Sequence, residues 1–441
     1  MTANTLVLGA GPAGLAFAYR YGPGAVVLEK ALEVGGLSRS IEIEDGVFDL
    51  GGHSFHTPHR EVRDLVHSLL NGAWHEQPRD ARVWVSGQLI AYPFQQHFEM
   101  LDDDSIVEEC RGHQADAALV ARSANFEEWI FRRFGSGVAR NFMMPYNRKL
   151  WACDLKELGC AWVTERVATT TDARNPTAAV VPRRRPLQSD SRVAYPAHGG
   201  FGAIFVALAA RCQRIELGEE VVRIDGARRN VHTSSGRVWH WDRIVSTMPL
   251  PHLLACLGDC PEGIVEQASM LQAVSLKILL LLARLRDRGV PQRIYIADPA
   301  IHPHKLAFNH TSSPSLAERR NHAIMGEVSY SSGKPAPPDA ELLHGTVDWL
   351  VANRFIESAD DVVTRRIVDV PYGYPVPTHA RTGIIAEVTQ YLEGRNIHAI
   401  GRFGSWNYAN SDECIRQGLE LGSRLLGQSG GPRSCEFLPF T

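Results

Sequence analysis

Lysine is scarce in this chain. Of 46 basic residues in 441, six are Lys and 40 are Arg. A surplus of either charge is missing too: 49 Asp and Glu leave a net charge of −3, which argues against a protein that holds nucleic acid by bulk positive charge. Most of the Arg excess is background composition, and it matters only where a planar guanidinium fork meets phosphate. Cysteine pairs at metal-ligand spacing are absent. The eight Cys, at 110, 153, 160, 212, 256, 260, 414 and 435, are scattered, and Cys256 and Cys260 lack a second pair. They read as reduced thiols of a cytoplasmic protein. His302 and His304, flanking Pro303, read as exposed polar residues of a loop, and no metal is expected. Apolar runs such as Ile278–Ala283 fall far short of the ~20 residues that cross a bilayer, so no membrane association is expected. Met1–Asn4 is short and uncharged and lacks the form of a secretion signal. No internal repeat or low-complexity tract is visible.

What remains is the profile of a globular protein, 44% hydrophobic and 22% charged. The length exceeds the roughly 250–300 residues at which a single core stops growing, so two or three domains around a shared site are expected. Thr5–Leu8 reads as an apolar strand, followed by a glycine turn, an Ala-rich helix over Ala13–Tyr21 and a second strand over Ala25–Leu28, a βαβ start. From Glu61 to about Arg166 the pattern turns to amphipathic helices, with Phe126, Trp129, Ile130 and Phe134 at helical spacing. Strand-like runs follow at Arg192–Tyr195, Glu216–Ile224, Arg237–Trp241 and Ile244–Thr247. Val274–Arg284 reads as a long strand, and Ile294–Ala297, Ala323–Ser329 and Val363–Val370 as shorter ones. Asp412–Leu426 is helical, and the residues after Gly427 read as a frayed end.

Gly9, Gly11 and Gly14 lie between the first strand and its helix, and Glu29 ends the second strand. In a dinucleotide fingerprint the first Gly makes the tight turn, the second lets backbone approach a pyrophosphate, and the third lets helix and strand pack closely. The helix N-terminus then faces the phosphates, and Glu29 is placed to accept from an unphosphorylated ribose diol. A second small-residue loop follows the acid (Gly35, Gly36, Ser38, Ser40), and a further glycine turn runs Asp49-Leu50-Gly51-Gly52-His53. These loops resemble those that line FAD in the amine oxidase and protoporphyrinogen oxidase superfamily, which points to FAD over NAD.

Later segments narrow the resemblance to the UDP-galactopyranose mutases, and to their eukaryotic-type branch. They are Gly51-Gly52-His53, Tyr92-Pro93-Phe94-Gln95, Pro145-Tyr146-Asn147 with Trp151, Cys160-Ala161-Trp162 with Glu165-Arg166, Gly373-Tyr374-Pro375, and Gly401 to Trp406 with Tyr408, all in family order. The resemblance implies an α/β fold: a Rossmann-like FAD-binding domain (1–60, 197–270 and 385–428), a helical insertion (61–165), an antiparallel-sheet substrate domain (166–196 and 271–384) and a flexible tail (429–441). It also implies a ring contraction of a nucleotide sugar, in which N(5) of reduced FAD attacks the anomeric carbon and displaces the nucleoside diphosphate. The substrate would be a UDP- or dTDP-sugar, and NAD(P)H a transient reductant.

On the same resemblance His53 stands beside the flavin, with Gly9, Gly11, Gly14, Glu29, Gly36, Ser38, Gly52 and Arg402 around the cofactor. Arg166 is the diphosphate clamp, Arg82 lies near the flavin, and Tyr295, Tyr374 and Tyr408 contact phosphate. Tyr92, Phe94, Gln95, Phe142, Asn147 and Trp151 form the uracil pocket, and Asn410 contacts the nucleotide. Two departures stand out. The family's second diphosphate Arg falls on Lys305, a point charge without the fork, and a sugar-facing Asn falls near Asp190. The alternatives are an FAD oxidase acting on an amine or porphyrinogen, and a binding protein on the same scaffold like the Rab GDP-dissociation inhibitors. An oxidase would call for an apolar or aromatic cage, and the intact Gly9, Gly11, Gly14 and Glu29 speak against a decayed flavin site.

Overall fold

The computed structural model describes residues 5–163, 167, 192–286 and 289–428. Two sheets organise the chain. The first is five-stranded and wholly parallel, in the order Ile397–Ala399, Arg243–Ser246, Thr5–Leu8, Ala25–Glu29, Ile215–Leu217. Its central strand Thr5–Leu8 is buried throughout, which is why it reads as continuous apolar sequence without alternation. Helix Pro12–Tyr21 covers one face and contributes Leu15, Ala16 and Phe17 to the core. Helix Ser411–Gln428 packs against it so tightly that a Cβ on Gly418 would lie 2.4 Å from the Ala13 carbonyl oxygen. On the other face helix Arg381–Glu393 buries Ile384, Val388 and Leu392 with Leu6, Leu8 and Val26.

The second sheet is seven-stranded, in the order Val362–Pro375, Ala273–Ala283, His322–Tyr330, Lys305–Phe308, Arg293–Ile296, Ala81–Val85, Gln88–Ala91. All its pairs are antiparallel except Arg293–Ile296 with Ala81–Val85. Leu279 to Leu282 are fully buried in the long strand, each contributing about 2 kcal/mol of burial. The α/β class expected from the resemblance is therefore observed, with a separate sheet unit beside the parallel one.

Residues 74–91 depart from the expected helical stretch. They form three strands, Trp74–Pro78, Ala81–Val85 and Gln88–Ala91. The period-two burial of Ala81, Val83 and Val85 between half-buried Arg82 and Trp84 selects the strand, and the alternation is present in the sequence. Helix Arg60–Leu69 also stands apart from the insertion, since Val62, Val66 and Leu69 join the core of the parallel-sheet unit. Helices between Phe94 and Trp151 make up the insertion proper, and Phe126, Trp129, Ile130 and Phe134 are all buried in it. The expected strand Glu216–Ile224 is two strands, Ile215–Leu217 and Val221–Asp225, separated by a turn at Gly218. The final helix ends at Gln428, and the tail after it lies outside the described residues.

Candidate functional site

A cavity of about 770 Å³ runs between the two sheets and the helical insertion. At one end is the glycine turn. Gly9 adopts φ +106°, and a Cβ there would sit 2.2 Å from Thr247 Oγ1. A Cβ on Gly14 would fall 2.1 Å from the Gly9 carbonyl oxygen, so the helix can approach the strand only without one. Around Gly11, by contrast, a Cβ would meet nothing within 4 Å, because the position opens onto the cavity. Glu29 Oε2 accepts from Ala10 N at 2.7 Å and Oε1 from Ala31 N at 2.9 Å, which fixes the carboxylate at the cavity edge with lone pairs to spare. This cradle fits a dinucleotide: backbone N–H groups for the pyrophosphate and an acid for the ribose.

The other end of the cavity is formed by one transverse row of the antiparallel sheet. Tyr295 pairs with Lys305, Lys305 with Glu327, and Glu327 with Ile278, so all four share a face and all line the cavity. Lys305 Nζ lies 2.6 Å from Glu327 Oε1. Glu327 is 2% exposed and also accepts from Gly52 N at 2.9 Å and from the Tyr374 hydroxyl at 2.8 Å. His304 Nε2 is 3.5 Å away. Burial alone would push the Glu327 carboxyl up, but the Lys305 ammonium and His304 outweigh it and hold the group well below the usual carboxylate range. Burial, reinforced by Lys305, pushes the His304 imidazole down to about 4 against the opposing pull of Glu327, so the ring is neutral near pH 7.

His53 sits above this row, stacked on Phe201 at 4.9 Å and 11°. Burial first and then Lys305, Arg293 and Arg402 lower its pKa to about 3, against Glu327. It therefore presents a neutral imidazole, whose Nδ1 is buried without a hydrogen-bond partner. Arg293 donates to Ser54 Oγ at 2.9 Å. Tyr295 is pulled below its ordinary value: burial raises it, and Arg293, Lys305 and Arg79 together overcome that.

An aromatic wall closes the side toward the insertion. Phe94 stacks on Phe142 at 5.2 Å and Phe142 on Tyr146 at 5.2 Å and 9°. Tyr146 meets Tyr295 edge-on, and Tyr92 packs on Tyr295 at 4.9 Å. Arg402 spans the opposite lip, donating to the Ala409 and Gly373 carbonyls at 2.8 and 3.2 Å and lying 5.6 Å from the ring centres of both Tyr374 and Tyr408.

Among the residues marked in the sequence, Gly9, Gly11, Glu29, Gly36, Ser38, Gly52, His53 and Arg402 line the cavity. So do Tyr92, Gln95, Phe142, Asn147, Tyr295, Lys305, Tyr374, Tyr408 and Asn410. Phe94 and Trp151 stand behind the lining: Phe94 backs Phe142, and Trp151 meets Tyr374 and Tyr408 edge-on at 6.5 and 5.6 Å. Arg82 is not brought to the cavity. Its guanidinium is committed to Asp80, at 3.1 and 3.0 Å, on the half-buried side of its strand. Arg166 and Asp190 lie outside the described residues.

Glu327, His304, Arg293 and Tyr146 are among the lining residues that the sequence analysis gave no site role. His304 is the correction of most weight. Expected as an exposed loop residue, it is 1% exposed, because the loop turns back at Pro303 and the next strand carries it under the cavity. Glu327 had one available signal, a lone acid in the otherwise uncharged strand-like run Ala323–Ser329. Among the described residues no group of three metal-ligating side chains occurs, and no helix is long and apolar enough to cross a membrane.

Comparison with known proteins gives three kinds of relative. Residues 12–282 match the family of flavin containing amine oxidoreductases. A crystal structure of reduced UDP-galactopyranose mutase is similar at 25% identity, covering 97% of this chain and 94% of that one with a TM-score of 0.85. The cyclohexylamine oxidase of Brevibacterium oxydans IH-35A (17% identity, 97% and 100% coverage, TM-score 0.68) and a CLA-producing fatty acid isomerase from P. acnes (15%, 96% and 98%, 0.65) share the fold.

Proposed function

The chain belongs to the flavin containing amine oxidoreductase family, and from that premise we propose that it is a flavin-dependent nucleotide-sugar mutase interconverting pyranose and furanose rings. One observation carries this reading: a single cavity joins the dinucleotide cradle to an aromatic wall and to a polar end rich in Arg and Tyr hydroxyls. An amine substrate has no use for several guanidinium groups, whereas a nucleotide sugar needs a stacking surface, a phosphate site and a hydroxyl site together. Similarity to the mutase over nearly the whole length supports the same choice. UDP-galactose is the first substrate to try.

Gly9, Gly11, Gly36, Gly52 and Glu29 would hold FAD, which when bound and reduced supplies a nucleophilic N(5) for the anomeric carbon. The chain's own groups do the rest. Tyr146, the end of the ring stack, offers a face to a uracil ring, and Gln95 and Asn147 offer amides to its edge. Arg402 offsets the negative charge of the diphosphate as it separates, Tyr408 contributes a hydroxyl, and Arg166 is proposed as a further clamp. Neutral His53 gives the reacting region a hydrogen-bonding group that brings no charge. NAD(P)H as reductant and a cytoplasmic location belong to the same proposal.

The test is incubation of the dithionite-reduced holoprotein with a panel of UDP- and dTDP-sugars, followed by NMR of the products. Equal turnover with oxidised flavin would refute the mutase reading. Arg166→Ala is expected to lose most activity while retaining FAD, and a near-normal rate removes Arg166 from the site. The aromatic wall also suits an amine oxidase, the second reading; oxygen uptake with an amine, absent with nucleotide sugars, would decide for it.

A further inference from the structure

The cation and the hydroxyl on the sheet side of the cavity are already engaged with each other's neighbour. Lys305 and Glu327 stand directly opposite on adjacent strands, with Nζ 2.6 Å from Oε1. A tyrosine hydroxyl has one proton, and Tyr374 donates its proton to Glu327 Oε2 at 2.8 Å. The carboxylate is held further by Gly52 N, which donates to Oε1 at 2.9 Å.

We propose that Glu327 is a specificity-determining residue, which neutralises Lys305 and turns the Tyr374 hydroxyl into an acceptor, so that this end of the cavity takes the uncharged sugar and not the diphosphate. The proposal deepens the mutase reading and rests on it. Of the three N–H donors on Lys305, one goes to Glu327, and the others can face a ligand. Tyr374, with its proton committed, presents lone pairs. A sugar hydroxyl both donates and accepts, so it matches both groups. A diphosphate only accepts and carries charge, so it matches Lys305 alone and is repelled by the Glu327 carboxylate. The paired Lys305 and Glu327 have no net charge, and neutral His304 adds none. Uncompensated charge lies on the opposite lip, where Arg402 donates only to two backbone carbonyls, whereas Arg293, close to Lys305, donates to a serine hydroxyl and faces the buried Asp49 carboxyl. The substitution of Lys for a forked guanidinium is consistent with this division of labour, since a compact ammonium can be capped by one carboxylate.

The experiment is calorimetric titration of the FAD-loaded protein with UDP and with UDP-galactose, on wild type, Glu327→Gln, Lys305→Met and the double variant. Glu327→Gln is expected to bind UDP about tenfold tighter, because it uncovers the ammonium, and the double variant to lose that gain. The double variant, which removes both charges, is also expected to hold UDP within about threefold of wild type while reducing the preference for UDP-galactose over UDP, and Lys305→Met alone, which leaves the carboxylate unpaired, to bind UDP more weakly. A tenfold loss of UDP affinity in the double variant, or no tightening in a flavin-loaded Glu327→Gln, overturns the proposal. Should Glu327→Gln fail to hold flavin, Tyr374→Phe decides: unchanged UDP affinity supports the assignment, and a tenfold loss overturns it. If all four proteins, wild type included, bind neither ligand, the nucleotide-sugar reading itself falls and takes this assignment with it.

Discussion

Lys149 Nζ donates to the carbonyl oxygen of Pro303 at 2.8 Å. The same ammonium reaches the carbonyls of Asp298 and Ile301 at 2.9 and 2.5 Å, so one buried cation ties helix Met144–Trp151 to the loop that delivers His304 and Lys305. Burial and then Lys334 bring its pKa down to about 7, against Asp298. Lys149→Met keeps the volume and leaves three carbonyls without their donor. We expect it to lower unfolding stability by about 3 kcal/mol, read as a lower urea midpoint at unchanged slope; a shift below about 0.5 kcal/mol would show that the loop is held by other contacts.

The glycine turn makes a contrast. A Cβ on Gly14 meets backbone at 2.1 Å, whereas one on Gly11 meets open space. Gly14→Ala should therefore destabilise the protein with or without flavin. Gly11→Ala should leave the apoprotein's melting temperature within about a degree and lose bound FAD, seen in the visible spectrum after gel filtration. Full flavin occupancy in Gly11→Ala would place the pyrophosphate elsewhere.

Acid should destabilise this protein through its buried histidines. Burial pushes His304 down to about 4, and burial with neighbouring His322 pushes His310 down to about 3. As pH falls below about 6.5 the unfolded chain takes up these protons before the folded one does, so stability is complete above that pH and is lost toward pH 4. Asp49, raised by burial despite its hydrogen bonds, acts in the opposite sense at the acid end. The melting temperature should fall between pH 7 and 5. His310→Gln, remote from the cavity lining, should flatten that slope, and an unaltered slope would assign the effect to other groups.

Phe142 is the middle ring of the stack between Phe94 and Tyr146. Tyr146 is the outer ring on the cavity side, and Tyr146→Ala should weaken UDP binding by about 1–3 kcal/mol, the usual loss for one base–aromatic contact. Titration with UDP checks it, and an undiminished affinity would move the uracil to another part of the wall.

Much of the parallel-sheet unit was legible because its signals are local. The strand Thr5–Leu8, the three glycines and Glu29 lie within 25 residues, and each has one mechanical reason to be where it is. The three strands in 74–91 were hidden by a wider helical neighbourhood, although the alternation from Ala81 to Val85 was there to see. Glu327 could not be found from spacing. Its importance comes from cross-strand register with Lys305, 22 residues away, and from Tyr374 on a strand that reaches the site only through the sheet. His304 was misjudged for a related reason: composition marks a loop, and burial depends on where the next strand lies. The scarcity of lysine proved more informative than the abundance of arginine, since Lys149 is buried under the loop that leads to the cavity and half-buried Lys305 lines it.

The five parallel strands come from stretches around residues 5–29, 215–246 and 397–399. Anyone wishing to graft a new substrate unit onto this cofactor unit therefore faces a problem of modularity. A single crossover between two parent genes would split the parallel sheet and leave exposed strand edges. A workable chimera must exchange internal segments as cassettes, with junctions on both sides of each, and carry the helix that ends at Gln428 along with the first helix it packs against.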